Sequence, residues 1–113
     1  MGIQAFTMHH VDLFGIGGVV SRVLDHLSDR PLHMSYDIDA VDPLEAPSTG
    51  TVVRGGLSFR EAHFVAEAIS DSGNLASMDI VEVNPNLVPG EGASITAEMG
   101  LQLTLSAMGS RIL

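Results

Sequence analysis

The stretch Ser35-Tyr36-Asp37-Ile38-Asp39-Ala40-Val41-Asp42-Pro43 decides how the rest of this chain is read. It closes an apolar run, residues 32–38, with the length and composition of a strand buried on both faces. It also carries two carboxylates two positions apart. In an extended chain, residues i and i+2 point to the same face, so Asp37 and Asp39 are expected to converge. Converging carboxylates repel each other unless a cation lies between them. The pair therefore points to a metal held by oxygen ligands. The same spacing also occurs in solvated Asp-rich turns, and Asp42 before Pro43 reads as a turn residue rather than a ligand.

Working outward, Ile3-Gln4-Ala5-Phe6-Thr7-Met8 reads as a short strand. Ile16, Val19, Val20, Val23, Leu24 and Leu27 recur at helical spacing, with Asp12 as a plausible upstream cap and Asp29-Arg30-Pro31 as the break. Residues 46–56, rich in Gly, Pro, Ser and Thr, form a loop. Ser58 followed by Glu61 is a capping-box pattern. It opens a helix whose stripe is Ala62, Val65, Ala66 and Ile69 and whose C-terminal cap is Gly73. Residues 75–83 form a third strand, stopped by Asn84-Pro85. Residues 86–92 are loop, and residues 95–108 form a last apolar helix.

The order β-α-β-α-β-α predicts an α/β fold: a parallel sheet with flanking helices. Ligands in such sheets bind outside the carboxyl ends of the strands. Asp37 and Asp39 fall at that end of the second strand, and Glu82 at that end of the third. Three strands make a thin sheet, and parallel sheets need both faces and their edges covered. The chain thus reads as a piece of a larger sheet.

Composition narrows the function classes. The chain has 113 residues, which fits one domain, and 45% of them are hydrophobic. Five Lys+Arg stand against fourteen Asp+Glu, a formal net charge of -9. That balance argues against a nucleic-acid partner, whose phosphates need basic patches, and against an anionic membrane surface. No apolar run approaches the roughly 18 residues of a membrane span, and no signal peptide is evident. The absence of cysteine excludes thiolate metal sites and fits a cytoplasmic protein.

Other residues carry open alternatives. Glu82 between apolar neighbours needs a partner if buried. A planar guanidinium would supply one, and an edge position in water would remove the need. Thr49-Gly50-Thr51 and Gly55-Gly56 either bring backbone close to a ligand or make the loop flexible. His9-His10 is a poor chelate, because adjacent strand residues face opposite ways. Gly15-Ile16-Gly17-Gly18 is an incomplete dinucleotide-loop pattern.

Taken together, these stretches resemble the ureohydrolases, and the arginase family most closely. The matching segments are Ser35 through Pro43 as quoted above, Thr49-Gly50-Thr51, Gly55-Gly56-Leu57-Ser58-Phe59-Arg60-Glu61 and Asp79-Ile80-Val81-Glu82-Val83-Asn84-Pro85. Gly2-Ile3-Gln4-Ala5-Phe6-Thr7-Met8, Val11-Asp12 and Gly15-Ile16-Gly17 match as well. The resemblance covers residues 1–113 and implies the C-terminal portion of an arginase-like three-layer domain.

It implies a binuclear manganese centre, two Mn2+ per site, and hydrolysis of L-arginine to L-ornithine and urea. By position, Asp37 would bridge both metals and Asp39 would bind one. Thr51 would line the guanidinium pocket and Glu82 would anchor the guanidinium. No residue of this segment is assigned as the catalytic acid or base. Arg60 and Glu61 would lie near the subunit contacts of a homo-oligomer, a trimer or hexamer.

The departures from the family pattern are equally informative. Family members are more than twice this long, and the remaining metal-ligand and substrate-recognition segments of the family are not found here. His10 stands where the family has an acidic residue. Two carboxylates cannot hold two manganese ions, so the isolated chain is expected to be inactive and to bind metal weakly. The alternatives are an agmatinase or other amidinohydrolase, which would share the metal chemistry, and a non-catalytic fragment acting in oligomerisation or regulation.

Overall fold

Helix-period and strand-period segments alternate along the chain, and the computed structural model, which describes residues 2–111, turns that alternation into layers. In order they are α1 (Met8–Leu27), β1 (Leu32–Asp37), a 3-10 turn (Ile38–Ala40), α2 (Phe59–Asp71), β2 (Leu75–Val81) and α3 (Glu91–Ala107). β1 and β2 pair in parallel, with Tyr36 opposite Ile80 and Asp37 opposite Val81. Parallel neighbours need a long crossover, which α2 supplies. No helix among the described residues is long and apolar enough to cross a membrane.

The core lies between the ribbon and the helices α2 and α3. Tyr36 from β1, Ala62 and Ala66 from α2, and Met99 and Leu103 from α3 are buried there, with Ile38, Val41 and Ala46 closing the end near the 3-10 turn. The Tyr36 hydroxyl donates to the Ala62 carbonyl at 3.1 Å, so the phenol is buried without losing its hydrogen bond. Burial pushes its pKa well above that of an ordinary phenol.

The capping signals act as read. Ser58 Oγ accepts from the Glu61 N–H at 3.1 Å, and the Ser58 N–H donates to Glu61 Oε1 at 3.0 Å. A cap of this kind is worth about 1 kcal/mol. Gly73, just past α2, takes a φ of 74°, the left-handed conformation that ends helices at little cost to glycine.

Five expectations change. Residues 3–8 do not form a strand; the chain is irregular up to Thr7 and helical from Met8. A strand exists only where a neighbour supplies the ladder, and among the described residues none does. The Thr7 N–H instead donates to His10 Nδ1 at 2.9 Å, so His10 supplies the acceptor that a capping-box acid would supply. The cap of α1 is thus Thr7, not Asp12. The helix is broken at Gly15, with φ 70° and ψ 164°, so the Gly15-Ile16-Gly17-Gly18 run marks a kink rather than a nucleotide loop. β1 is covered on one face only: Leu32 and Tyr36 are buried while His33 and Ser35 are exposed. The third predicted strand stops at Val81, because Glu82 takes a φ of 70° and cannot continue it.

Candidate active site at the carboxyl ends of the strands

β1 delivers Asp37 as its last residue, and the 3-10 turn delivers Asp39. The two acids meet by a different route from strand alternation. The chain turns at Ile38, and the Asp39 N–H donates to Asp37 Oδ1 at 3.1 Å. Because Asp37 lies opposite Val81, Glu82 emerges beside them at the same end of the ribbon. Its φ of 70° is a conformation that non-glycine residues hold only when the surroundings enforce it.

Electrostatics records the convergence. The Asp39 carboxyl is held above the usual carboxylate range, first by partial desolvation, then by its hydrogen bond with Asp37 and by the negative charges of Asp37 and Glu82. A Cβ built on Gly50 would lie 3.6 Å from Glu82 Oε2, so the carboxylate packs along the glycine of Thr49-Gly50-Thr51. Thr51 is exposed one residue further on. Thr49 is buried, and its hydroxyl makes no hydrogen bond.

The neighbouring turn is structural. Asp42 Oδ1 accepts from the Leu44 N–H and Oδ2 from the Gly55 N–H, each at 3.0 Å. These backbone donors hold its pKa below the usual range. Gly56 is required by a close approach of backbone to backbone. A Cβ there would meet Asp42 N at 2.8 Å and Ala40 O at 2.9 Å, where Leu57 bridges to Val41. That glycine serves the fold and not a ligand. An apolar cleft of about 410 Å³ opens beside Asp39, lined by residues that include Phe6, Val11, Val19, Val53 and Leu57.

Two other histidines lie elsewhere: His33 sits on the exposed sheet face and His63 is buried against Phe59. Among the described residues, no group of three or more His, Asp or Glu side chains is placed to hold a metal ion. Asp37 and Asp39 are thus a pair without further ligands of that kind. One residue at this rim gives no sign in the sequence. Ser48, inside what reads as loop, is fully buried and bonded to two other segments.

A family model described as the arginase family matches residues 1–109. The chain belongs to the arginase family. It is 54% identical over 113 residues to an arginase of Emericella nidulans, covering 99% of this chain and 35% of that one. Among solved structures it superimposes on an arginase from Bacillus subtilis with a TM-score of 0.90 at 38% identity, covering 99% of this chain and 39% of that one. It also superimposes on an Entamoeba histolytica arginase solved in complex with L-ornithine, with a TM-score of 0.82 at 30% identity, covering 93% and 35%. The chain spans about a third of the length of the curated arginases it matches. Its α/β architecture, a parallel sheet with flanking helices, is that of part of the arginase fold.

Proposed function

We propose that this chain is the C-terminal portion of an arginase domain and contributes one side of a site that hydrolyses L-arginine to L-ornithine and urea. The observation that carries the reading is the gathering of Asp37, Asp39 and Glu82 at one end of the ribbon, with Glu82 against Gly50. Family membership supports it, as does the ornithine complex of the Entamoeba relative.

The donor set fits a manganese pair in part. Asp37 and Asp39 are hard oxygen donors crowded enough to raise Asp39, and a cation between them would relieve that crowding. They would hold one side of the pair, with the other ligands supplied from outside the described residues. The chemistry supplied by the ions when bound is the lowering of a water's pKa towards neutrality. Glu82 offers two carboxylate oxygens of the kind a guanidinium pairs with, and Thr51 would line that pocket by the family resemblance. Gly50, having no side chain, leaves the approach to Glu82 open. Arg60, exposed at the start of α2, is the candidate contact for a homo-oligomer. Glu61 already closes the cap of its own helix.

The test has two arms. In the first, manganese titration by calorimetry and a urea assay are run on the 113-residue chain alone; weak binding and no turnover are expected, and robust turnover would sink the half-site reading. In the second, the complete protein carrying this segment is assayed on arginine and agmatine, with Glu82→Gln alongside. A charge-assisted hydrogen bond is worth about 1.5–3 kcal/mol, so kcat/KM for arginine is expected to fall roughly 10- to 100-fold. Preference for agmatine would overturn the arginase assignment.

A further inference from the structure

Ser48 lies two residues before Gly50, and Asn84 lies two residues after Glu82. Between them runs a set of short bonds. The Asn84 N–H donates to the Ser48 carbonyl at 3.0 Å, and the Ser48 hydroxyl donates to the Asn84 carbonyl. That hydroxyl also accepts from the Val88 N–H at 3.0 Å. On the other side, the Ser48 N–H donates to Thr96 Oγ1 at 2.8 Å, and the Thr96 hydroxyl donates to the Gly92 carbonyl at 2.8 Å, within α3. Ser48 and Thr96 are both fully buried.

The pattern joins three segments: the loop at Ser48, the stretch after Glu82 and α3. The 49–51 segment and the stretch after Glu82 have no regular structure, whereas Thr96 lies within α3. Buried hydrogen bonds of this kind cost far more to break than exposed ones. Glu82 needs such support. Its left-handed backbone persists only where the surroundings over-determine it, and the Ser48–Asn84 pair grips the chain two residues downstream.

We propose that Ser48 is a positioning residue: by pinning Asn84 and Val88 to its own segment, and through Thr96 to α3, it sets how the Glu82 carboxylate faces Gly50 and so tunes recognition of a guanidinium group. This rests on the reading of Glu82 as the guanidinium anchor. Ser48 touches no reacting atom; it acts through Glu82.

The experiment uses the complete manganese-loaded protein carrying this segment. KM and kcat for L-arginine and the inhibition constant of L-ornithine, which has no guanidinium, are measured for the parent, Ser48→Ala and Thr96→Val. Thermal midpoints are recorded alongside. Loss of the two bonds made by the Ser48 hydroxyl, to the Asn84 carbonyl and from the Val88 N–H, predicts a KM for arginine about tenfold higher in Ser48→Ala, with kcat changed less and the ornithine constant unmoved. Thr96→Val keeps the shape, removes one hydroxyl, and is expected to raise KM about threefold in the same pattern; it decides the matter should Ser48→Ala fail to fold. An unmoved KM, or equal rises for arginine and ornithine, would overturn the positioning role. A folded parent that releases no urea from arginine overturns the proposed function, and the positioning role falls with it.

Discussion

The two faces of the β1–β2 ribbon are built from alternate positions of the same two strands and behave as different materials. One face presents Leu32, Met34, Tyr36, Met78 and Ile80 to α2 and α3. The other presents His33, Ser35, Ser77 and Asp79, laced across the strands. His33 Nδ1 meets Ser77 Oγ at 2.8 Å, His33 Nε2 meets Asp79 Oδ2 at 3.1 Å, and Ser35 Oγ donates to Asp79 Oδ1 at 2.6 Å. The side chains of His33 and Asp79 are about half exposed, at 51% and 48%. The first face removes apolar area from water, the dominant favourable term in folding. The second exchanges hydrogen bonds with water for hydrogen bonds across strands, a near-balanced trade. Alternation along a strand thus separates what holds the ribbon down from what only keeps its strands in line.

Substitutions of decreasing size sharpen that contrast. Leu103→Ala opens a cavity behind the covered face at a fully buried position; chemical denaturation is expected to show a loss of about 2–5 kcal/mol. A cost below about 1 kcal/mol would mean that the covered face does not carry the stability. Tyr36→Phe keeps the ring and deletes the bond to Ala62; the same measurement is expected to give about 1 kcal/mol. Smallest is Asp79→Asn on the open face. The folded pKa of Asp79 is lowered, first by the Ser35 hydroxyl and then by His33. Its ionised form therefore adds stability above the ordinary carboxylate pKa of about 3.9 and loses it as pH falls through the lower folded value. The variant should trail the parent slightly at pH 6 and converge with it in strong acid. A gap that widens on acidification would reverse the sign of this account.

What could be read in advance follows the range of the forces involved. Ser58 with Glu61, and Gly73 after α2, were legible because caps are settled within one turn of chain. Asp37 and Glu82 were legible at the strand ends because hydrophobic runs with turn residues mark where strands stop. The failures are non-local. Ile3 through Met8 has strand composition, yet a ladder needs a second strand that the described residues do not place there. His33 and Ser35 sit in a run apolar enough to look buried twice, and only the packing of helices shows that one side is left open. The Asp37–Asp39 pair converges through a 3-10 turn rather than as two residues of one extended strand, a bend that alternation alone does not encode. Ser48 was invisible because its partners, Asn84, Val88 and Thr96, lie 36 to 48 positions away.

Glu82 carries a φ of 70°, where a residue with a Cβ pays about 1–2 kcal/mol relative to right-handed backbone and glycine pays almost nothing. Backbone energetics alone would therefore favour glycine at this position, and the guanidinium-anchoring role proposed for the carboxylate would oppose it. On the role proposed for Glu82, guanidinium recognition and durability would pull in opposite directions at one residue. A lineage released from the need for that acid would be free to drift towards glycine there, gaining thermal resilience as it lost its chemistry.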